Sequence, residues 1–289
     1  MATTRNRRDI YQEVTDTVIA ALEQGVVPWS CPWDRRSNHS LLPSNATTGR
    51  PYNGINVLLL WVTAHLRGYP DSRWLTFKQA QAAGGQVRKG EKGTLCTFWR
   101  TYEATNDAGE LEKRFVLRHF NVFNIAQVDG LEDEAEAAEP VDPVDGFEAC
   151  ADVLQASGAT VHHGGDRACY LPTADVIHMP PASAFRSVRD YWSTLGHELV
   201  HWTGHTSRLD SLGASDEAAY AFEELVAEMG SAFLNAQLGV GLEGMQHPSY
   251  IDHYLQVLRS DKRALMRAAT AARKASEFLL QATAEVQAV

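Results

Sequence analysis

Apolar residues in the first part of the chain recur at two spacings, which predict helices and strands within one domain. Ile10, Val14, Val18 and Leu22 are four residues apart and share one face of a helix, which Gly25 ends. Later apolar segments predict two more helices and two strands, over 55–66, 73–83, 94–99 and 115–122. The pattern therefore predicts an α+β domain built around a small antiparallel sheet.

The second part of the chain has short strand patterns followed by long helical ones. A helix near 147–157 precedes three short strands, around 160–162, 168–171 and 175–179. Helical spacing then dominates, over 191–203, 218–237, 248–258 and 262–287. We expect a mostly helical domain with a small sheet, in which the last of the three strands presents an edge to an extended peptide.

An acidic segment separates these two patterns. Residues 130–146 contain seven acidic residues and no basic one, and they include Pro140 and Pro143. Because such a composition cannot bury enough apolar surface to offset the entropy of ordering, we predict a solvated linker, with an exposed acidic helix over 131–138 as the alternative. The predicted domains are residues 1–129 and 147–289.

The composition is that of a folded protein without a membrane segment. The 289 residues are 44% hydrophobic and 21% charged. No apolar run approaches the ~20 residues that span a bilayer. No apolar core follows the arginines near the N-terminus, so no secretory signal is predicted. The four cysteines form no CxxC pair, which favours reduced thiols and a cytoplasmic location.

The net charge of −10 is unevenly distributed along the chain. Residues 1–129 hold 16 basic and 12 acidic residues, a net charge of +4. Residues 130–146 carry −7, and residues 147–289 also carry −7, from 10 basic and 17 acidic residues. A basic first domain and an acidic second domain indicate different partners for the two.

The sequence His197-Glu198-Leu-Val-His201 has the spacing of a metal site on a helix. Histidines at positions i and i+4 lie on one helix face and can bind one metal ion. Glu198 lies beside them as the candidate general base. Leu195 and Leu199 give this helix an apolar side, which indicates a helix packed in a core rather than a surface one.

A catalytic zinc site needs a third protein ligand, and the next predicted helix offers two carboxylates. Glu224 and Glu228 are four apart among apolar residues, so one can bind the metal and the other can orient a histidine. The longer HExxHxxGxxH pattern fails because position 207 is Ser207, although His205 is an alternative ligand. We prefer a glutamate, and we expect Zn²⁺, with Mn²⁺ or Co²⁺ as substitutes.

Basic and aromatic residues are interleaved between positions 73 and 100 of the first domain. Basic side chains that follow phosphates, with aromatic faces on which bases stack, are typical of single-stranded nucleic-acid binding. No helix-turn-helix or zinc-finger spacing indicates duplex recognition. The residues predicted to bind single-stranded DNA are Trp74, Lys78, Arg88, Lys89, Lys92, Trp99 and Arg100.

Seven longer stretches carry a family resemblance. They are GVVPWSCPW, RPYNGINVLLL, RWLTFKQAQAAGGQVRKGEKGT, FNVFNIAQVDGL, HELVHWTGH, YAFEELVAEMGSAFL and YIDHYLQVLRSDKRAL. With these stretches, which lie within residues 25–265 and fall in both predicted domains, the chain resembles the ArdC-type antirestriction proteins of conjugative plasmids. The resemblance implies an N-terminal single-stranded-DNA-binding domain followed by a zincin-like metallopeptidase domain.

The resemblance also implies roles for particular residues. His197 and His201 become metal ligands, Glu198 the catalytic acid/base, and Glu224 rather than Glu228 the third ligand. The implied function is protection of incoming plasmid DNA from host restriction, with restriction enzymes as one candidate protein target. Two alternatives stay open, namely a DNA-coating protein with a structural or dispensable metal site and a protease that clears proteins from DNA. The candidates for stabilising an oxyanion are Tyr220, Tyr250 and His253.

Overall fold

A computed structural model of the protein describes residues 8–33, 41–106, 109–131, 143–213, 217–240 and 248–287. In the first part of the chain the helices are α1 (Ile10–Glu23), α2 (Ile55–Arg67) and α3 (Phe77–Ala82). The strands are β1 (Ser44–Asn45), β2 (Arg73–Leu75), β3 (Gln86–Val87), β4 (Thr94–Thr105), β5 (Leu111–Asn124) and β6 (Val128–Asp129). Helices α1 and α2 lie where the apolar spacing predicts them.

Four strands form the main sheet of this part, in the order β1-β2-β5-β4. Strands β2 and β4 both run antiparallel to β5, whereas β1 runs parallel to β2. The sheet is therefore mixed, and the prediction of an antiparallel sheet is wrong at its β1 edge. Strands β3 and β6 pair separately with each other.

Residues 73–75 form strand β2 and not the first turn of the predicted helix. Trp74 pairs with Asn45 on one side and with Asn124 on the other, so long-range pairing outweighs the local pattern. Helix α3 begins after Thr76, whose hydroxyl accepts a hydrogen bond from the Gln79 N–H at 3.3 Å. The Gln79 side chain accepts one from the Thr76 N–H at 2.9 Å, which completes a capping box.

Strands β4 and β5 form a hairpin that is longer than predicted. Their register runs from Thr94 opposite Val122 to Thr105 opposite Leu111. The base of the hairpin is anchored by Asn56 of α2, whose side chain bonds both the backbone N–H and the C=O of Thr97, at 2.8 and 2.9 Å. Beyond this point most side chains on both faces are exposed, so burial does not alternate and the strand signal is weak.

The second part of the chain begins with α4 (Pro143–Ser157), inside the segment predicted to be a linker. Residues 132–142 lie outside the described residues, so for them the linker stays a prediction. The later helices are α5 (Val188–Thr203), α6 (Glu217–Leu238), α7 (Pro248–Ser260) and α8 (Ala264–Gln287). None of the helices in the described part of the chain is long and apolar enough to cross a membrane.

A three-stranded sheet covers one side of these helices. Its strands are β7 (Thr160–His163), β8 (Cys169–Leu171) and β9 (Val176–Met179), in the order β7-β9-β8. Strand β9 is central, parallel to β7 and antiparallel to β8. The prediction that residues 175–179 present a free edge is therefore wrong, because both edges of β9 are paired.

One hydrophobic core joins the two parts of the chain. It contains buried residues of α1 and α2 together with buried residues of α6, α7 and α8. Trp61 of α2 contacts Phe233 of α6 with ring centroids 6.3 Å apart, and Trp29 meets Tyr254 of α7 edge-on at 5.4 Å. An ion pair of 2.6 Å between the partly exposed side chains of Lys262 and Asp9 also links the two parts. The two domains are thus packed together through apolar surface.

Candidate metal centre

Helix α5 places two imidazoles on one face. Ser187 caps the helix by accepting a hydrogen bond from the Asp190 N–H at 3.1 Å, and Leu195 and Leu199 are buried beneath the small sheet. This packing turns His197 and His201 towards the cleft in front of the helix, one helical turn apart. Their Nε2 atoms are 3.2 Å from each other.

Helix α6 supplies the third group. Glu224 Oε2 lies 3.4 Å from His197 Nε2, and Glu224 Oε1 lies 3.5 Å from His201 Nε2. Tetrahedral ligands with bonds of ~2.0–2.1 Å to zinc are separated by ~3.3 Å, so the three side chains fit a zinc-sized ion. Within the described residues they form the one group whose ligating atoms all lie within 4.8 Å of one another.

Small residues allow α5 and α6 to approach closely enough for this contact. Gly196 faces Ser231, and a Cβ at Gly196 would lie 3.1 Å from the Ser231 hydroxyl oxygen. Gly230 faces Val200, and a Cβ there would lie 2.9 Å from both Val200 methyl carbons. Because a larger side chain at either glycine would separate the helices, the glycines help to set the distance between Glu224 and the histidines.

The nearly buried charges of the site perturb one another. Burial alone would lower the pKa of His197, but its hydrogen bond to Glu224 and the charges of Glu228 and Glu198 raise that pKa to about 9. Burial acts to raise the pKa of Glu224, and the hydrogen bonds from His197 and His201 hold it well below its usual value. The glutamate is therefore ionised and available as an anionic ligand.

The three side chains line a cleft of about 510 Å³. Glu198 is 7% exposed and also lines this cleft, beside the two histidines. Tyr220, half-exposed at the start of α6, lines the cleft too, as do Cys169 and Tyr170 of strand β8. A carboxylate, a phenol and a strand at the edge of a sheet thus surround the candidate metal position.

The other candidate residues lie outside the converging group. Glu228 is buried behind it and acts through its charge on His197. His205 is turned away, with its Nδ1 2.8 Å from the Ser207 hydroxyl. His253 contacts Glu217 at 3.7 Å and does not line the cleft, and the side chain of Tyr250 lies outside the described residues. The ligand and catalytic roles themselves stay predictions.

Comparison with known proteins identifies the family of the chain. A model described as the N-terminal domain of anti-restriction factor ArdC matches residues 8–123, and a zincin-like metallopeptidase model matches residues 148–271. The metal-free crystal structure of antirestriction protein ArdC from plasmid R388 is 41% identical, with a TM-score of 0.81, and covers 96% of this chain and 99% of that one. The chain belongs to the ArdC family of antirestriction proteins.

The ArdC family membership confirms the predicted two-domain α+β class. ArdC of R388 is also known in an Mn(II)-bound structure, 40% identical to this chain with a TM-score of 0.79 and the same coverage of both chains. The uncharacterized protein y4eC of Sinorhizobium fredii is 36% identical over 94% of this chain and 91% of its own length. DNA primase TraC of Escherichia coli is 38% identical over 95% of this chain, which spans 27% of TraC.

Next to the cleft, this ArdC-family chain has a polar cluster that the sequence analysis missed. Arg208 donates hydrogen bonds to Asp175, to the Tyr170 hydroxyl at 3.1 Å and to the Trp202 carbonyl at 2.6 Å. Its guanidinium also lies 3.8 Å from the Trp202 ring centroid. The cluster fixes the loop after α5 against β8 and β9. No regular spacing joins its members, so the sequence alone carries no signal for it.

The predicted DNA-binding residues occupy different environments. Trp74 is fully buried against Tyr69, so it cannot stack on a base, and its assignment is wrong. Both faces of β2 are covered at this point, because Trp74 lies in the main core and Leu75 in a smaller one. Arg88 is held by ion pairs to Glu91 at 2.9 Å and Asp129 at 3.5 Å. Four others are exposed, namely Lys78, Lys89, Lys92 and Arg100, as is Trp99 on the hairpin.

Proposed function

We propose that this protein binds single-stranded DNA and acts as a metal-dependent peptidase that protects incoming plasmid DNA from host restriction. The observation that carries the peptidase half is the convergence of His197, His201 and Glu224 in a cleft that also contains Glu198. Two imidazole nitrogens and one carboxylate suit Zn²⁺, and Mn²⁺ and Co²⁺ are alternatives. The Mn(II)-bound ArdC of R388 supports a divalent ion in this family.

The chain's own residues account for the proton transfers of peptide hydrolysis. A divalent ion held by the three ligands would supply Lewis-acid polarisation and make a water more acidic. Glu198 accepts a proton from the attacking water and returns it to the leaving amine. Its carboxylate is not one of the three converging groups, so it is free for this role.

Two further elements of the cleft fit a peptide substrate. Of the two oxyanion candidates whose side chains are described, Tyr220 lines the cleft and His253 does not, so the Tyr220 phenol is the group assigned to donate a hydrogen bond to the developing oxyanion. Strand β8 is an edge strand of the small sheet, and its residues line the same cleft. An extended substrate would add to this edge by main-chain hydrogen bonds, the role first expected of β9.

The DNA half of the proposal is supported by the first domain. Its family model is that of the N-terminal domain of ArdC. Residues 1–129 carry a net charge of +4, and exposed basic and aromatic side chains occur together on the β4–β5 hairpin. A protein with this surface and a peptidase cleft would act on proteins that meet the transferred strand, with host restriction enzymes as the proposed target.

Glu198→Gln tests the proposed function because it keeps the shape of the side chain and removes the base. Metal content and DNA affinity should be retained, while peptidase activity on restriction enzymes incubated with single-stranded DNA should fall about 10²-fold or more. The matched control is Glu223→Gln, which removes one charge from the same cleft. Mass spectrometry of the incubated enzymes gives the readout.

Plasmid transfer into a restricting host then separates the two candidate functions. Loss of protection in Glu198→Gln, with DNA binding intact, would support proteolysis as the mechanism. Full protection in this variant would contradict the peptidase half and leave a DNA-coating protein. The exposed hairpin of the first domain is the observation that favours this second candidate.

A further inference from the structure

The two faces of the β4–β5 hairpin differ in chemistry. Side chains alternate between faces along each strand, and directly paired residues share a face. One face, here called the basic face, contains Phe98, Arg100, Tyr102, Arg114 and Arg118. The other face carries more apolar surface, and its exposed members include Trp99 and Phe115.

Aromatic and cationic groups are paired across the strands on the basic face. Phe98 lies directly opposite Arg118, Tyr102 lies directly opposite Arg114, and Arg100 lies between the two aromatic residues on β4. Phe98 and Tyr102 are each 45% exposed. Four residues along a strand separate the two rings by ~13 Å. Arg118 and Arg100 thus place a guanidinium beside each ring, whereas Arg114 forms an ion pair with Glu112 on the same face.

The charges of the two faces reinforce this difference. From position 96 to 105 and from 111 to 120, the basic face holds three arginines and Glu112, a net of +2. On the other face Lys113 lies directly opposite Glu103, which leaves no net charge. In the described part of the chain, Arg100 and Arg118 have no ion-pair or side-chain hydrogen-bond partner. Their donors are available to phosphate oxygens.

The basic face is continuous with the body of the domain. Phe120 shares this face and contacts Phe98 edge-on, with ring centroids 5.9 Å apart. Cys96, opposite Phe120, is fully buried in the core. The ring of Phe98 is thus braced from behind. A fixed ring loses less side-chain entropy on binding a base than a freely rotating one.

We infer that the basic face of the β4–β5 hairpin is the platform on which single-stranded DNA binds, with Phe98 and Tyr102 stacking on bases and Arg100 and Arg118 contacting phosphates. The inference rests on the proposed DNA binding and specifies its surface. It replaces Trp74, which is buried, and Trp99, which lies on the opposite face. Single strands are specified over duplex because stacking requires bases that are not already stacked on both sides.

Aromatic substitutions test the stacking part of the inference. Full-length protein is titrated with a fluorescently labelled oligothymidylate, and the variants are Phe98→Leu and Tyr102→Leu. Each should weaken binding about 5-fold or more, since one stacked base contributes ~1–3 kcal/mol. The matched control is Phe115→Leu, at an exposed aromatic of the opposite face, which should change affinity less than about 2-fold. Thermal unfolding of each variant verifies that the fold is kept.

Salt dependence tests the phosphate part. Each lost phosphate contact on a single strand should lower the slope of log affinity against log salt by ~0.7. The double variant Arg100→Gln/Arg118→Gln should therefore lose ~1.4 from this slope. Lys113→Gln, on the opposite face, should leave it unchanged. The assignment of the face would be overturned if Lys113→Gln lowered the slope by ~0.7, the loss expected for one phosphate contact.

The remaining outcomes distinguish this inference from the proposed function. If the unmodified protein shows no affinity for the oligothymidylate, the DNA half of the proposed function fails, and the inference fails with it. If the unmodified protein binds but the basic-face variants bind equally well, the inference alone fails. Unchanged DNA affinity together with lost protection in cells would assign the hairpin to a protein partner, which also overturns the inference. Preference for duplex of the same sequence would overturn it as well.

Discussion

At the scale of single residues, the metal site depends on which histidines face Glu224. His197 is within 3.4 Å of that carboxylate, whereas His205 points to Ser207. We expect His197→Ala to lose about one equivalent of bound zinc per chain, because two ligands cannot hold the ion at a site that needs three. His205→Ala is the matched control and should keep its metal. Elemental analysis after dialysis gives the readout, and equal metal content in the two variants would contradict the site.

A second prediction at this scale concerns Asp175, which adopts a left-handed backbone conformation with φ of 53°. Hydrogen bonds from Arg208 and Tyr170 lower the pKa of its carboxyl to about 2, from a value of 3.8 for an isolated group. Because the folded-state pKa is lower than the unfolded one, the stabilisation is complete above about pH 4. It is lost as the pH falls from there towards 2.

Asp175→Asn tests this pH dependence, since asparagine tolerates the same backbone conformation but carries no charge. The side chain is 38% exposed, so we expect a loss of only about 1 kcal/mol in the free energy of unfolding at neutral pH. The difference from the unmodified protein should shrink as the pH approaches 2. Denaturant unfolding at several pH values measures it, with Asp166→Asn, at an exposed acid, as the control. A difference that grows on acidification would contradict the assignment.

At the scale of elements, the contact between α5 and α6 sets the geometry of the site. Gly230→Ala would place a methyl group against Val200, so we expect a loss of about 1–3 kcal/mol in the free energy of unfolding. Zinc affinity should fall as well, because the displaced α6 carries Glu224 away from the histidines. Denaturant unfolding measures the loss of stability, and metal titration measures the zinc affinity.

The double variant Gly230→Ala/Val200→Ala is the internal control. Removing the Val200 methyl groups makes room for the new one, so zinc affinity should recover towards that of Val200→Ala alone. If the effects of the two substitutions on zinc affinity simply added, Gly230 would not act through its contact with Val200.

The sequence predicts the elements whose signal is local. Helix α5 with its two histidines follows from i, i+4 spacing, and the pair of carboxylates on α6 follows from the same rule. The three-residue strand β2 cannot be predicted in this way, because its pairing partners, Asn45 and Asn124, are distant from it in the chain. The outer part of the β4–β5 hairpin is missed for another reason, since its side chains are exposed on both faces.

At the scale of the whole molecule, composition indicates two independent domains, and the structure shows that their cores are joined. Acidic and basic segments report on surface charge, whereas the contact of Trp61 with Phe233 depends on tertiary packing that no charge pattern encodes. The joint core includes residues of α1 and α2 as well as α6 to α8. Separating the two parts would therefore expose apolar surface that each part now covers for the other.

We therefore expect the metal-free protein to unfold in a single cooperative transition. Because neither part keeps its full core without the other, the calorimetric and van't Hoff enthalpies should agree for the full chain. Phe233→Ala should lower the one midpoint without splitting the transition. Two resolved transitions in the unmodified protein, each with its own midpoint, would contradict this prediction.

Helix α6 carries Glu224 on the side of the cleft, and nine residues later, ~13 Å along the same rod, Phe233 meets the first domain. One rigid element is therefore in contact with the metal position and with the half of the protein that carries the hairpin. Thermodynamic reciprocity follows for any two ligands bound through such an element. The factor by which an oligonucleotide changes the affinity for the ion must equal the factor by which the ion changes the affinity for the oligonucleotide, so either titration measures the communication between them.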